Sequence, residues 1–133
     1  MIFADTSFLV AGLIKRDNHH EAAIQLSRQI AGRRVVTTNH VRGEAWTWIR
    51  RKAWHGKATE MLDNLDDPTG HVGVSGVSDQ MEAEALLWLR QHDEREYSFV
   101  DATSFAFMRA QGISEALAFD GDFAAAGFVE LRP

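Results

Sequence analysis

Apolar and polar residues follow two different periods along this chain. Ile2-Phe3-Ala4 is a short apolar run closed by the polar residues Asp5-Thr6-Ser7, and it reads as a buried strand. Phe8 to Lys15 predicts a short helix, and Arg16-Asp17-Asn18-His19 a polar turn. Between His20 and Ala31, the residues Ala23, Ile24, Leu26, Ile30 and Ala31 favour one side of a helix that Gly32 ends. Val35-Val36-Thr37 is a second strand, after which Thr38 or Asn39 can cap a helix from about His40 to Trp54. Gly56 is expected to break that helix, with Lys57 to Leu65 forming another before Asp66-Asp67-Pro68. The remaining expectations are strands at His71–Val77, Ala116–Phe119 and Phe128–Leu131. Helices are expected at Asp79–His92 and Ser98–Gln111, the second stopped by Gly112.

Strands and helices alternate through most of the chain, which implies an α/β fold with a parallel sheet covered by helices. Such sheets collect ligands beyond the carboxyl ends of their strands. Asp5 and Asp120 each follow a strand and belong at that edge. Glu44 lies about one and a half turns into the helix after the second strand, and helical side chains lean back toward the helix start. Asp101 falls in the first turn of the helix that begins near Ser98. Four acids from distant parts of the chain thus converge. Each has a structural alternative. Asp120-Gly121 is a common turn pair, Ser98 and Asp101 have capping-box spacing, and Asp122 can cap a short helix over Phe123–Ala126. Asp5 is harder to explain away, because an acid inside an apolar opening segment needs hydrogen bonds or a cation. Carboxylates at one edge suit Mg²⁺ or Mn²⁺, ions that can activate water and orient a phosphodiester.

The composition narrows the class. A chain of 133 residues fits one domain spanning 1–133, and its 45% apolar and 25% charged shares are ordinary for a soluble protein. No apolar run approaches the roughly 20 residues of a membrane span, and Asp5 inside the opening segment argues against a signal peptide. With no cysteine there is neither a disulfide nor a thiolate metal site, and a cytoplasmic location is the simplest expectation. The formal charge of −5 argues mildly against nucleic acid, although bound cations would change what a phosphate chain meets.

The ordered segments Ala4-Asp5-Thr6-Ser7, Thr38 to Glu44, Ser98 to Ala102 and Phe119 to Phe123 resemble the PIN-domain nucleases, and among them the VapC toxins of bacterial toxin–antitoxin pairs, with Tyr97 to Phe128 looking especially like a subgroup from mycobacteria and their relatives. The resemblance covers essentially the whole chain and rests on the order and spacing of the motifs together. It implies a three-layer α/β/α PIN-like domain, a homodimer, and Mg²⁺- or Mn²⁺-dependent endoribonuclease activity on structured RNA. By motif position Asp5, Glu44, Asp101 and Asp120 match the family's acidic site, and Asp122 matches a more variable acid. Thr6 or Ser7 matches the hydroxyl residue that supports the first aspartate. A VapB-like antitoxin is the implied protein partner. The implied substrate is the sarcin–ricin loop of large-subunit rRNA, or alternatively a tRNA. One departure is Phe119, where the family often has Thr or Ser.

Beyond the acids, Arg50-Arg51-Lys52 forms the densest basic cluster and can track an RNA backbone or simply complement a helix end. Trp48, four residues from Glu44, is the tryptophan best placed to stack on a base. The six histidines show no metal-ligand spacing, so exposed or capping roles are expected for them. A haloacid-dehalogenase-type phosphatase would need an aspartate where Ser7 stands. A receiver domain would need a late lysine, and none follows Lys57. A non-catalytic RNA- or protein-binding module on the same fold is the rival from another class.

Overall fold

A computed structural model describes residues 1–133. The chain runs β1 (Ile2–Ala4), α1 (Thr6–Leu13), α2 (His20–Gln29), β2 (Val35–Thr38), α3 (Asn39–Lys52), α4 (His55–Asp66), β3 (Val72–Ser75), α5 (Asp79–Gln91), α6 (Phe99–Gln111), β4 (Glu115–Leu117), α7 (Asp122–Ala125) and β5 (Val129–Glu130). The five strands form one sheet in the order β3-β2-β1-β4-β5, and every neighbouring pair is parallel.

Period-two alternation sorts the strand side chains onto two faces. Ile2, Ala4, Val35 and Leu117 pack with Phe8, Ala11, Ala23 and Leu26 of α1 and α2. Phe3, Val36 and Ala116 point the other way, into a core built from Phe105 and Met108 of α6 and Phe123 of α7. A third cluster joins α1, α3 and α4 through Val10, Ala45, Ile49, Ala58 and Met61. The result is the expected three-layer α/β/α arrangement. Strand order grows outward from β1 through β2 to β3, then returns to the other side of β1 for β4. The reversal leaves a crevice between the ends of β1 and β4, which is where doubly wound sheets place their ligands.

Several boundaries differ from the sequence reading, each for a local reason. The first helix begins at Thr6 because Asp5 itself is the N-cap, accepting from the Ser7 N–H. Thr38 rather than Asn39 caps α3, its hydroxyl accepting from the Val41 N–H. The expected break at Gly56 is displaced. Helix α3 stops at Lys52, Ala53 and Trp54 leave helical geometry, and Gly56 sits inside α4. Its missing side chain instead makes room for the Trp54 indole, since a Cβ there would lie 3.1 Å from Nε1. Strand β4 ends at Leu117 rather than Phe119, because the Phe119 N–H leaves the ladder for the Ser7 hydroxyl. Asp120 is therefore three residues past the strand. Strands β3 and β5 are also shorter than expected.

Candidate active site

Asp5, Thr6, Ser7, Glu44, Asp101, Asp120 and Asp122 all line one cavity of about 410 Å³ at the carboxyl edge of the sheet. Different elements deliver them. Asp5 leaves β1, with its N–H donating to the Leu117 carbonyl at 3.0 Å, and it is only 2% exposed. One carboxylate oxygen, Oδ2, accepts from the Ser7 N–H at 3.2 Å and the Ser7 hydroxyl at 2.8 Å. The other, Oδ1, is buried without a hydrogen-bond partner, as is the Thr6 hydroxyl. Glu44 is half-buried on α3.

Asp101 stands at the start of α6, where the capping box closes as its spacing predicts. Its N–H donates to Ser98 Oγ at 2.9 Å, and its Oδ2 accepts from the Ser98 N–H at 3.0 Å. Asp120 accepts from the Asp122 N–H at 3.1 Å, holding the turn between β4 and α7. Gly121 makes that turn possible with φ +82, a region that L side chains rarely adopt. Glu130 pins the same turn, accepting from the Gly121 and Ala124 N–H groups. Asp122 is not the cap that its position suggested. Gly121 occupies the N-cap, and the Asp122 carboxylate instead accepts from Arg95 Nε at 2.9 Å.

The tightest part of the set is Asp101, Asp120 and Asp122, whose carboxylate oxygens lie within 4.8 Å of one another. Such crowding in a partly dry site disfavours charge. Burial pushes the Asp5 carboxyl up to about 8, the Asp120 charge adding to the shift and the Ser7 hydroxyl opposing it. Burial likewise raises Asp101 to about 7, against its backbone hydrogen bond from Ser98 and with Asp120 and Asp122 adding. Asp120 is raised too, chiefly by burial, with Asp122 and Glu130 contributing. Hard oxygen donors, an orphaned buried carboxylate oxygen and mutual repulsion together fit a divalent cation, which would satisfy all three. The site can therefore hold a metal through Asp101, Asp120 and Asp122, with Asp5 and Glu44 beside them.

Of the RNA-contact residues expected on α3, the structure brings Trp48 and Lys52 into the cavity wall, while Arg50 and Arg51 are exposed outside it. Trp48 is 45% exposed and the Lys52 ammonium lies 5.3 Å from its ring centroid. Sequence reasoning missed Arg95, which also donates to the Asp120 carbonyl at 3.3 Å. It also missed His19, which lines the cavity and stacks on Phe119. Neither carries a periodic or motif signal.

A sequence model of the PIN domain matches residues 2–129. The chain is 49% identical over 135 aligned positions, covering 100% of its own length and 99% of the relative's, to a Mycobacterium tuberculosis protein named 23S rRNA-specific endonuclease VapC20, in two strains. The crystal structure of M. tuberculosis VapC20, described as a sarcin–ricin loop cleaving toxin, superposes with a TM-score of 0.94 at 47% identity over the full length of both chains. More distant structures share the fold alone. VapBC2 from Rickettsia felis, bound to a promoter DNA fragment, gives a TM-score of 0.71 at 12% identity, over 98% of each chain. A toxin–antitoxin complex from Klebsiella pneumoniae gives 0.66 at 16%, over 98% of this chain and 97% of that one. The sheet order, the convergence of acids at the β1–β4 crevice and these full-length likenesses agree, and the chain belongs to the PIN-domain family, within its VapC toxins.

Proposed function

We propose that this protein is a metal-dependent endoribonuclease toxin that cuts the sarcin–ricin loop of large-subunit rRNA and so blocks translation. The observation that carries the reading is the convergence of Asp5, Glu44, Asp101, Asp120 and Asp122 on one cavity. Full-length 49% identity to a 23S rRNA-specific endonuclease supports the choice of substrate.

Asp101, Asp120 and Asp122 would hold Mg²⁺ or Mn²⁺, with Asp5 as the buried member of the set. Such an ion would polarise the phosphodiester, lower the pKa of a nearby water and stabilise the leaving oxygen. Ser7 fixes Asp5 through two hydrogen bonds and, through the Phe119 N–H, ties it to the strand that delivers Asp120. Thr6 offers a second buried oxygen beside it. Glu44 lines the cavity outside the tight trio, where it would complete the acidic set, as a further metal ligand or as the carboxylate that orients attacking water. Lys52 and Trp48 would meet the RNA at the cavity wall, and Arg50 and Arg51 its backbone farther out.

The same reading gives the protein a VapB-like antitoxin partner and a homodimeric assembly, for which exposed Leu86, Leu87 and Phe99 supply apolar surface. No helix is long and apolar enough to cross a membrane. As one domain spanning 1–133, the protein would act in the cytoplasm, where its ribosomal substrate would be.

The test is cleavage of purified ribosomes, total tRNA and a sarcin–ricin hairpin with Mg²⁺ or Mn²⁺, with cut ends mapped. Asp5→Asn and Asp101→Asn are expected to lower cleavage by about 100-fold or more. Equal cleavage by all three proteins would rule out the site. Ends confined to tRNA would replace the substrate.

A further inference from the structure

We infer that His19 and Phe119 form a prebuilt platform on which one unpaired nucleobase of the RNA stacks beside the carboxylates. The inference rests on the nuclease reading above and adds to it a recognition site beside Asp5 and Asp120.

The two rings are nearly parallel, 6° apart, with centroids 4.7 Å from each other. Both line the cavity that holds Asp5 and Asp120. Phe119 cannot drift, because its N–H donates to Ser7 Oγ at 3.1 Å, and that hydroxyl donates in turn to Asp5. The Arg132 guanidinium lies 5.5 Å from the Phe119 ring centroid and is itself anchored, donating to the Ala118 carbonyl and to Glu130 at 2.8 Å each. The turn carrying His19 is fixed as well. Asp17 accepts from the His19 N–H at 2.9 Å through its side chain and from the His20 N–H at 3.0 Å through its carbonyl. His20 Nδ1 then meets the Ala11 carbonyl at 2.7 Å.

A stack that served only packing would bury both rings. Phe119 is half-buried, yet His19 is exposed, and the hydrogen bond at this residue comes from its backbone. One aromatic surface is thus presented, from a turn fixed through its backbone, next to the groups that would cut RNA. Splayed bases stack on such surfaces, with little regard for sequence, and protein aromatic rings lose little entropy in receiving them. Phe119 then has a use at this position: it supports the histidine.

The experiment measures Kd for a sarcin–ricin RNA hairpin in an Asp101→Asn background, which prevents cleavage. His19→Ala and His19→Gln are expected to weaken binding by about tenfold, within the range of one lost base stack. His19→Phe is expected to restore it, and the slope of log Kd against log salt should be the same in all of them. Binding by His19→Gln equal to the parent, or by His19→Phe no better than His19→Ala, overturns the platform. A parallel cleavage assay separates the two ideas. An intact protein that leaves the hairpin, ribosomes and tRNA all uncut defeats the nuclease reading and the platform with it. Normal cleavage and binding insensitive to His19 defeat the platform alone.

Discussion

Asp5, at the β1–α1 junction, is buried and fixed by its sequence neighbour Ser7, whereas Asp122, at the start of α7, is fixed by Arg95 from 27 positions earlier. The two face the same cavity. The Asp5 end has no cation of its own and one orphaned oxygen, so Ser7 alone supports its charged form and burial favours the protonated one. The Asp122 end already has a guanidinium at 2.9 Å. The contrast separates two tasks that a metal site must perform. One side supplies demand for a cation, and the other supplies geometry by holding the β4–α7 turn in place.

The largest expected effect comes from removing the cation demand at Asp5. An aspartate in an unfolded chain titrates near 4, while burial pushes Asp5 up to about 8. Between those values the folded chain retains protons that the unfolded chain has released. The metal-free protein should therefore lose stability as pH rises from about 4 to about 8. A bound cation takes the place of the proton, and its affinity grows as the carboxylates ionise. Chelator-treated protein is expected to melt several degrees lower at pH 8 than at pH 5, and Mn²⁺ should raise Tm more at pH 8. Asp5→Asn should flatten the metal-free slope and lose much of the Mn²⁺ response. A metal-free Tm that climbs over this range, or an unchanged slope in the variant, would contradict the account.

Which parts of this were legible in the sequence follows from the same contrast. Asp5 sits directly after an apolar strand, and Ser98 and Asp101 have capping-box spacing, so their places could be read from adjacent residues. The sheet and its helices could be read from periodicity, because strand alternation and helix stripes are local patterns. Arg95 and His19 could not, since their contacts lie at Asp122 and Phe119, far along the chain. Asp122 was misread as a cap because Gly121, with φ +82, takes the N-cap itself and starts the helix one residue earlier; Asp120-Gly121 announces a turn but not where the helix after it begins. The Gly56 break was misread because glycine there serves a close approach by Trp54 rather than a change of direction.

Arg95→Gln tests the other half of the comparison and should have an intermediate effect. It removes the hydrogen bonds to the Asp122 carboxylate and the Asp120 carbonyl without touching the carboxylates. Partners of this kind typically contribute about 10- to 100-fold in metal affinity or activity. Mn²⁺ binding by calorimetry is expected to weaken by about tenfold, at the lower end of that range because the arginine is partly exposed. Tm of the metal-free protein should barely move, since exposed ion pairs contribute little to stability. A large loss of Tm with unchanged Mn²⁺ affinity would make Arg95 a folding residue and dissolve the distinction drawn between the two ends.

The smallest effect is expected on the third side of the cavity, where α3 presents a cation to solvent instead of to an acid. Lys52 lies over Trp48 at the cavity wall, 5.3 Å from the ring centroid, and is paired with no carboxylate. Its ammonium is free to neutralise one RNA phosphate, a contact that releases about one counterion and carries no sequence information. Lys52→Ala should therefore weaken binding only a few-fold, to every RNA alike, and reduce the slope of log Kd against log salt by about 0.7–1. His19 substitutions, by contrast, should leave that slope alone. If Lys52→Ala changes cleavage of one RNA but not of others, with an unaltered salt slope, then α3 reads the substrate rather than merely attracting it. The chemistry of recognition would then have to be moved from the β4 side of the cavity to the α3 side.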